Sequence, residues 1–443
     1  GFIELSGKFA EIGAGRFDLG SDFGKAGDLL FDPIDLVIDG VGTANIQSNG
    51  ATITLQADES ITIASAGILN STITGGTAGS ITLEAPKITL ADGSTVNAGT
   101  SGDVTLTAVR TGGGTAEIII GDGAGAAPIL YGNNITLNAT STVDNFALLV
   151  AAPTATAKIT INSGDIVATG ELAATAAATV NGDLSTVALP IGVVVTNSSA
   201  TVEVGGTSDI KADSVALSAK STVTSNIPTE SLAPANSAAD GAVAVSTINS
   251  TAIARVTGDA KVNTTNAIDV TAMNKILSVA NATPQAAAFG ASVGVSVINA
   301  ITTTELSGKA TVTAGSLNLD ASTGVDVTVK AIAGAGGATE PSAGSQAATF
   351  LSSSKYGDDA STSEGKLSVA GALAISDLTS TTKSAYDLTT SAMISGDLRV
   401  ASSSENNVDV TADGTAVKTA NGVGVAIGIN IAKVKNDAII ASA

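Results

Sequence analysis

The chain has 443 residues, of which 44% are hydrophobic but only 2% aromatic, and its formal net charge is −20. This charge disfavours nucleic acid and anionic membranes as partners, and no apolar run is long enough for a transmembrane helix, so no membrane insertion is predicted. The absence of cysteine and histidine excludes disulfides and removes the commonest general base and metal ligand, so no cofactor is predicted.

The first element, GDLLFDPIDLVIDG at residues 27–40, contains four aspartates: Asp28, Asp32, Asp35 and Asp39. If DLVID is a strand, Asp35 and Asp39 face solvent while Leu36 and Ile38 face the core. A hydrolase with paired carboxylates is one interpretation, because some β-helices cleave polysaccharides with aspartate clusters. The scarcity of arginine and of aromatic residues that could bind a sugar ring favours spacers and turn formers instead. No catalytic residue is therefore predicted.

From residue 52 onward, short segments alternate polar and apolar residues, as in TITLQA at 52–57 and SITLEA at 80–85. Such alternation is typical of strands with one buried face, and the Gly, Asn and Asp between the segments indicate turns. Strand starts at positions 53, 61, 73, 81, 88, 96 and 104 follow one another too closely for helices to lie between them. The residues predicted to point inward are Ile53, Leu55, Ile61, Ile63, Ile73, Ile81, Leu83, Ile88 and Leu90.

The related segments ITLQA, ITLEA, VTLTA and ITLNA begin at positions 53, 81, 104 and 135, so the steps between them are 28, 23 and 31. A step of about 20–30 residues is the size of one solenoid coil. Three short strands per coil account for each step. We therefore predict an all-β solenoid, with a segment that starts the shaft at 1–50 and irregular coils at 51–190.

Residues 191–443 have a longer repeat, because Val193, Val243 and Val293 recur at a constant interval of 50 in similar G-x-V-x-V segments. We interpret each unit as two coils of about 25 residues, with the last unit incomplete. About 18 coils in all would make a rod about 90 Å long. Irregular loop inserts between the units are the best candidates for partner contact, and they are predicted at 226–240, 276–289 and 331–366.

GFIELSGKF at 1–9 and LLFDP at 29–33 resemble a recurring block of the filamentous-haemagglutinin-type large exoproteins, with Phe31 where leucine is more usual. The units after residue 190 are similar to the solenoid arrays of giant filamentous adhesins. The resemblance implies a right-handed parallel β-helix, two-partner secretion through an outer-membrane partner, and a location outside a Gram-negative cell or on its surface. It also implies that the chain is an internal piece of a larger protein and brings no catalytic residues.

These observations predict a non-enzymatic structural shaft of a large secreted or cell-surface adhesin or fibre. A self-assembling extracellular sheath or matrix fibre is the alternative, and a β-helical polysaccharide-active enzyme is a more distant one. The expected partners are further coils of the same polypeptide, other copies of the chain, surface glycans and cell-surface proteins.

Weak candidates for a metal ligand are Asp358 and Asp359 in YGDDAS, and GDGAG at 121–125 is a fragment of a calcium-binding pattern. Neither stretch completes a known motif, so no metal site is predicted. Asn-x-Ser/Thr triplets mark candidate glycan acceptors. These are Asn70, Asn134, Asn138, Asn197, Asn249, Asn263 and Asn281.

Overall fold

The structure, a computed structural model, describes residues 2–12, 28–40, 46–73, 76–144, 150–184, 190–230, 239–284, 289–333, 367–389, 392–415 and 421–441. Every regular element within these residues is a β-strand, and the strands pair in parallel. The chain is a right-handed parallel β-helix in which three strands make one coil, which confirms the predicted fold.

Thirty strands follow one another along the described residues. The first ten are β1 Phe2–Ile12, β2 Asp28–Ile38, β3 Ile46–Gln47, β4 Ile53–Gln56, β5 Ser60–Ile63, β6 Ile68–Asn70, β7 Ile81–Glu84, β8 Lys87–Leu90, β9 Thr95–Asn97 and β10 Val104–Thr111. The next ten are β11 Gly114–Ile120, β12 Ile129–Gly132, β13 Ile135–Asp144, β14 Val150–Ala151, β15 Thr154–Ile161, β16 Asp165–Ala168, β17 Glu171–Asp183, β18 Ile191–Val204, β19 Asp209–Ala212 and β20 Ser214–Glu230. The last ten are β21 Ala239–Val256, β22 Lys261–Thr264, β23 Ala267–Thr283, β24 Phe289–Gly308, β25 Thr311–Ala314, β26 Ser316–Ile332, β27 Leu367–Leu388, β28 Ala392–Ile394, β29 Leu398–Asp413 and β30 Asn421–Ile440.

The strands form three walls around one interior. The first wall contains β4, β7, β10, β13, β17, β20, β23, β26 and β29. The second wall contains β5, β8, β11, β14, β15, β18, β21, β24, β27 and β30. These two walls form one 21-stranded sheet with β1 and β2, because β2 pairs with both β4 and β5. The third wall is a separate nine-stranded sheet of β3, β6, β9, β12, β16, β19, β22, β25 and β28.

The coils lengthen along the chain. Paired positions on the third wall are 68, 95, 129, 165, 209, 261 and 311, so the steps from one coil to the next are 27, 34, 36, 44, 52 and 50. The added residues extend the strands of the first and second walls, from four residues in β4 and β5 to 17 in β20 and 20 in β24. Strands of the third wall keep two to four residues.

The interpretation of each 50-residue unit as two coils is therefore wrong. Ile191 of β18 pairs directly with Val243 of β21, so one unit is one coil with long strands. A long strand repeats the same polar and apolar alternation as two short strands in a row, which is why the pattern misled. The strands β1 and β2 and the nine strands of the first wall form one continuous series of eleven paired strands. Ten spacings of about 4.8 Å between them give a stack about 50 Å long.

The predicted inserts are shorter than expected. The strand β20 continues to Glu230 and β23 continues to Thr283, so much of 226–240 and of 276–289 is strand. The reason is that alternation continues through ILSVANAT, where Ile276 and Ala280 are buried. The remainder of these two segments, and residues 334–366 of the third insert, lie outside the described residues. Each of the three segments connects a strand of the first wall to a strand of the second.

The predicted inward residues between 53 and 90 are all fully buried except Ile73, which is 38% exposed. That prediction was wrong because the third-wall strand of this coil is β6, in which Leu69 is the buried residue. In GILNSTIT both ILN and TIT could be read as a strand with one apolar side, but only ILN is one. Ile73 lies in the segment that follows this strand.

The interior contains two apolar clusters. One extends from Ile12 to Leu388, and the second, from Leu184 to Leu378, fills the space between the extended parts of the first and second walls. Along the long strands, buried polar side chains separate the two clusters and form a polar seam. Its members are Ser198, Ser221, Ser250, Asn274, Thr302, Thr323 and Thr382.

Hydrogen bonds connect the polar seam from coil to coil. Ser221 Oγ lies 2.7 Å from Ser198 Oγ and 2.8 Å from Ser250 Oγ, and Ser250 Oγ donates to Asn274 Oδ1 at 2.7 Å. A slip of either wall by two residues, which keeps the same side chains inside, would leave these hydroxyls without partners in an apolar core, at a cost of several kcal/mol. The polar seam therefore fixes the register of the first wall against the second.

Candidate functional surfaces

The aspartates of the opening segment face outward, as predicted, where the structure describes them. Leu36 and Ile38 are fully buried, whereas Asp35 lies on the outer side of β2 and accepts a hydrogen bond from Ser60 Oγ of the next coil at 2.5 Å. Asp39, beyond the end of β2, is only partly buried. The side chains of Asp28 and Asp32 lie outside the described residues. The two outward carboxylates do not converge on a pocket that the structure shows.

Among the described residues, no group of three or more Asp and Glu side chains is arranged to hold a metal ion. Asp358 and Asp359 lie outside the described residues. The one carboxylate of GDGAG forms a hydrogen bond within the loop itself: Asp122 Oδ1 accepts from Ala124 N at 2.8 Å. Asp92 of the preceding coil accepts hydrogen bonds from Asp122 N, Gly125 N and Ser163 Oγ.

These contacts lower the pKa of Asp92. Partial burial opposes ionisation, but the hydrogen bonds from Ser163 Oγ and from the Gly125 amide outweigh it and bring the pKa from 3.8 to about 2. A carboxylate whose folded pKa is depressed contributes stability that is present above its unfolded pKa and is lost as the pH falls through the folded pKa. The contribution should therefore disappear between about pH 4 and pH 2.

We expect Asp92→Asn to lower the free energy of unfolding by about 1 kcal/mol at pH 7, a figure that allows for solvent screening of this half-buried group. Guanidinium denaturation of both proteins at several pH values measures the difference. The difference should fall most of the way to zero by about pH 2, where the wild-type carboxyl is about half protonated. A difference that stays constant with pH would contradict the assigned role of the charge.

A groove of about 520 Å³ at the corner between the first and second walls is a candidate for a substrate-binding cleft. Asp58, Glu84 and Arg110 line this groove, together with two glycines. Arg110 Nη1 is 2.7 Å from Glu59 Oε2, so the guanidinium is already paired with a carboxylate two coils earlier. None of the described lining residues is aromatic. The groove thus has the charges but not the stacking surface that a sugar-binding cleft uses.

The seven candidate glycan acceptors all lie within the described residues, but their amide groups differ in availability. Asn134 Nδ2 donates to Asp103 Oδ1 at 3.1 Å, and Asn249 Nδ2 donates to Asn197 Oδ1 at 3.1 Å. Asn263 is exposed on the third wall. Asn263 is therefore better presented to a glycosyltransferase than Asn134, whose amide is hydrogen-bonded between coils.

The outer side of the second wall carries an apolar surface that the sequence did not reveal. Near the start of β18, β21, β24, β27 and β30, outward valine, isoleucine and leucine side chains stack in columns, which we call the apolar face. One column consists of Ile191, Val243, Val293, Leu373 and Ile427. The next consists of Val193, Val245, Val295, Ile375 and Ile429.

The narrow space between the two extended walls explains this orientation. Near the start of these strands the inward residues are small, as buried Ala244 shows, whereas farther along the inward residues Ile248 and Ile298 are large and also buried. A Cβ atom added to Gly294 would lie 2.9 Å from Lys330 O of the first wall. At this level of the walls the larger side chains must therefore be on the outer side. In GAVAV both sets of alternating residues are apolar. Only the difference in size between alanine and valine could have indicated which set points outward.

The described residues include no helix with the length and apolar character that crossing a bilayer requires. Comparison of the chain with protein-family models, with curated proteins and with solved structures finds no match. The function must therefore be argued from the fold and from the surfaces described above.

Proposed function

We propose that this chain forms part of the non-enzymatic shaft of a large secreted or cell-surface adhesin or fibre. The observation that supports this most strongly is the series of eleven first-wall strands, each hydrogen-bonded in parallel to the next over the length of the described chain. A stack of this kind makes a rod about 50 Å long, which can be extended coil by coil. Such a rod holds a binding region at a distance without needing a pocket.

The outer side chains stabilise the stack between coils. Glu117 carboxylate oxygens lie 3.7 Å from Lys87 Nζ and 3.4 Å from Lys158 Nζ, on the coils before and after it. Arg255 Nη2 is 2.9 Å from Glu203 Oε2 across another pair of neighbouring coils. Exposed pairs contribute only about 0–1 kcal/mol each, so the backbone ladders and the buried core supply most of the rigidity.

In this proposal the protein is located outside a Gram-negative cell or on its surface and is exported with the help of an outer-membrane secretion partner. The absence of cysteine is compatible with that route, because no disulfide can form before passage through a narrow pore. Surface glycans or cell-surface proteins would then be contacted by other parts of the rod or by the segments between the first and second walls.

A self-assembling sheath or matrix fibre is the alternative. Negative-stain electron microscopy of the purified chain, and of envelopes from the cells that produce it, separates the two functions. In the purified sample we expect flat particles about 50 Å along the stack and up to about 65 Å across the 20-residue strands. On the envelopes we expect separate filaments. An ordered lattice on the envelope would favour the sheath, whereas near-spherical particles that hydrolyse polysaccharide would contradict both structural functions.

A further inference from the structure

The apolar face is large for a surface in contact with water. The two columns above and a third, formed by Val195, Thr247, Val297, Asp377 and Ile431, cover about 20 Å by 24 Å across five strands, or roughly 490 Å². The largest apolar patch on a typical soluble monomer is about 300–600 Å². Two such faces in contact would bury about 1,000 Å², which is the area that a specific interface needs. The exposures of Ile191 and Val297, 45% and 38%, show that these side chains remain accessible.

The strands that carry the apolar face contact their neighbours in the second wall and, on the inner side, strands of the first wall. Asp377 is the one ionisable residue in the three columns among the described residues. Farther along the same strands the outer side becomes polar and charged, as at Lys383 Nζ, 3.7 Å from Glu305 Oε1. The surface is therefore a bounded patch and not a general property of the wall.

We propose that the apolar face is the interface for a second copy of this chain, so that two shafts pack with their second walls face to face. Another copy presents the same flat array of side chains, with strands that repeat about every 4.8 Å, so the two arrays can interlock over the whole patch. A two-fold axis would make the contact self-complementary and closed. This inference rests on the proposed function, because it assigns the partner of the shaft.

Other occupants fit less well. The segments of this chain that lie outside the described residues next to these strands contain few large apolar residues: 334–366 has only Phe350, Leu351 and Tyr356. Each of these side chains can turn only one side towards the patch, so together they would cover less than the roughly 490 Å². An anionic lipid surface would be repelled by the net charge of −20. A glycan would require aromatic rings to stack on, and the three columns contain none.

The opposite side of the molecule limits the assembly to two copies. The outer side of the first wall carries charged residues on its long strands, such as Lys220, Asp269 and Asp326, and large apolar side chains there are confined mainly to β23. Once two second walls are in contact, no comparable apolar face is left on the described residues to recruit a third copy. A pair of shafts is expected, and not a lattice.

Sedimentation equilibrium of the complete 443-residue chain tests this inference. At about 10 μM protein and physiological salt we expect a dimer. The double variant Val245→Lys and Val295→Lys places two charges in the middle of the apolar face and should weaken self-association by at least about a hundredfold. Higher salt should strengthen the wild-type dimer, because it screens the repulsion between two acidic chains.

The matched control is Val279→Lys with Thr328→Lys, which puts two charges on paired strands of the first wall, on its outer side. The control should remain dimeric, and circular dichroism should show that both variants keep the wild-type strand content. Because the chain has no cysteine, Val295→Cys and Thr328→Cys can also be cross-linked separately with a bifunctional thiol reagent. Only the first variant should give a cross-linked dimer.

A wild-type chain that stays monomeric up to about 100 μM would overturn the inference. Equal effects of the two lysine variants, or cross-linking through Thr328→Cys alone, would overturn it as well, as would binding of the apolar face to anionic vesicles. Electron microscopy distinguishes this failure from failure of the proposed function. Single flat particles on the grid, with separate filaments on the envelopes, would contradict only the pairing, whereas envelopes without filaments would contradict the shaft itself.

Discussion

Replacing Gly206 by alanine is expected to lower the free energy of unfolding by at least about 3 kcal/mol. Gly206 has φ of +56° in the turn between the second and third walls, and an added Cβ would lie 1.9 Å from Asn162 O of the previous coil. Asn162 O is a backbone atom, and the added Cβ is fixed to the backbone of Gly206, so the backbone itself would have to move. The same turn recurs one coil later, where a Cβ on Gly258 would lie 2.9 Å from Gly206 N.

Gly123→Ala is the matched control. Gly123 also has positive φ, at +81°, but nothing lies within 4 Å of its Cβ position. The free energy of unfolding of the Gly123→Ala variant should therefore fall by only about 1 kcal/mol, which is the conformational cost of alanine at positive φ. Guanidinium denaturation followed by far-ultraviolet circular dichroism measures both variants. If the two alanine variants lost equal stability, the close approach of successive coils at this turn would not be the reason for glycine.

Asn274→Ala is expected to cost about 2–4 kcal/mol, because it removes hydrogen bonds and leaves a cavity inside the polar seam. Asn274 is fully buried, and its Nδ2 donates to Ser250 O at 3.0 Å while its Oδ1 accepts from Ser250 Oγ. It lies on the first wall, whereas Ser250 lies on the second. The variant therefore weakens the connection between the two walls as well as the local packing.

Asn263→Ala provides the comparison, since Asn263 is exposed on the third wall and its replacement should change stability by no more than about 0.5 kcal/mol. The same denaturation measurement applies to both variants. In a double variant, Ser250→Ala with Asn274→Ala, the loss should be smaller than the sum of the two single losses, because no hydroxyl remains without its partner. Additive losses would indicate that the two side chains do not act as a pair.

The shortest repeats could be predicted almost completely from the sequence. In the four-residue strands β4, β5, β7 and β8, apolar residues alternate with polar ones, and each buried position was correctly identified. Ile73 was the error in this region, because a turn can contain the same alternation as a strand. Local pattern is sufficient here, since each strand has one clearly apolar and one clearly polar side.

The longer coils required the tertiary structure. The long repeat after residue 190 was visible, but whether it meant two short coils or one long coil depended on which strand pairs with which. Only the pairing of Ile191 with Val243 decided it. Pairing between strands so far apart in the chain is a non-local interaction that leaves no mark on either strand alone.

The sequence by itself determined that this protein is an acidic, cysteine-free stack of strands with a small-residue core. Only the tertiary structure decided which side of the long strands faces out. Near the start of these strands the walls approach so closely, as at Gly294, that alanine, glycine and serine fill the interior and the larger side chains lie on the surface, whereas Ile248 and Ile298 farther along are buried. Steric exclusion between the two walls, and not hydrophobicity along either strand, therefore creates the apolar face.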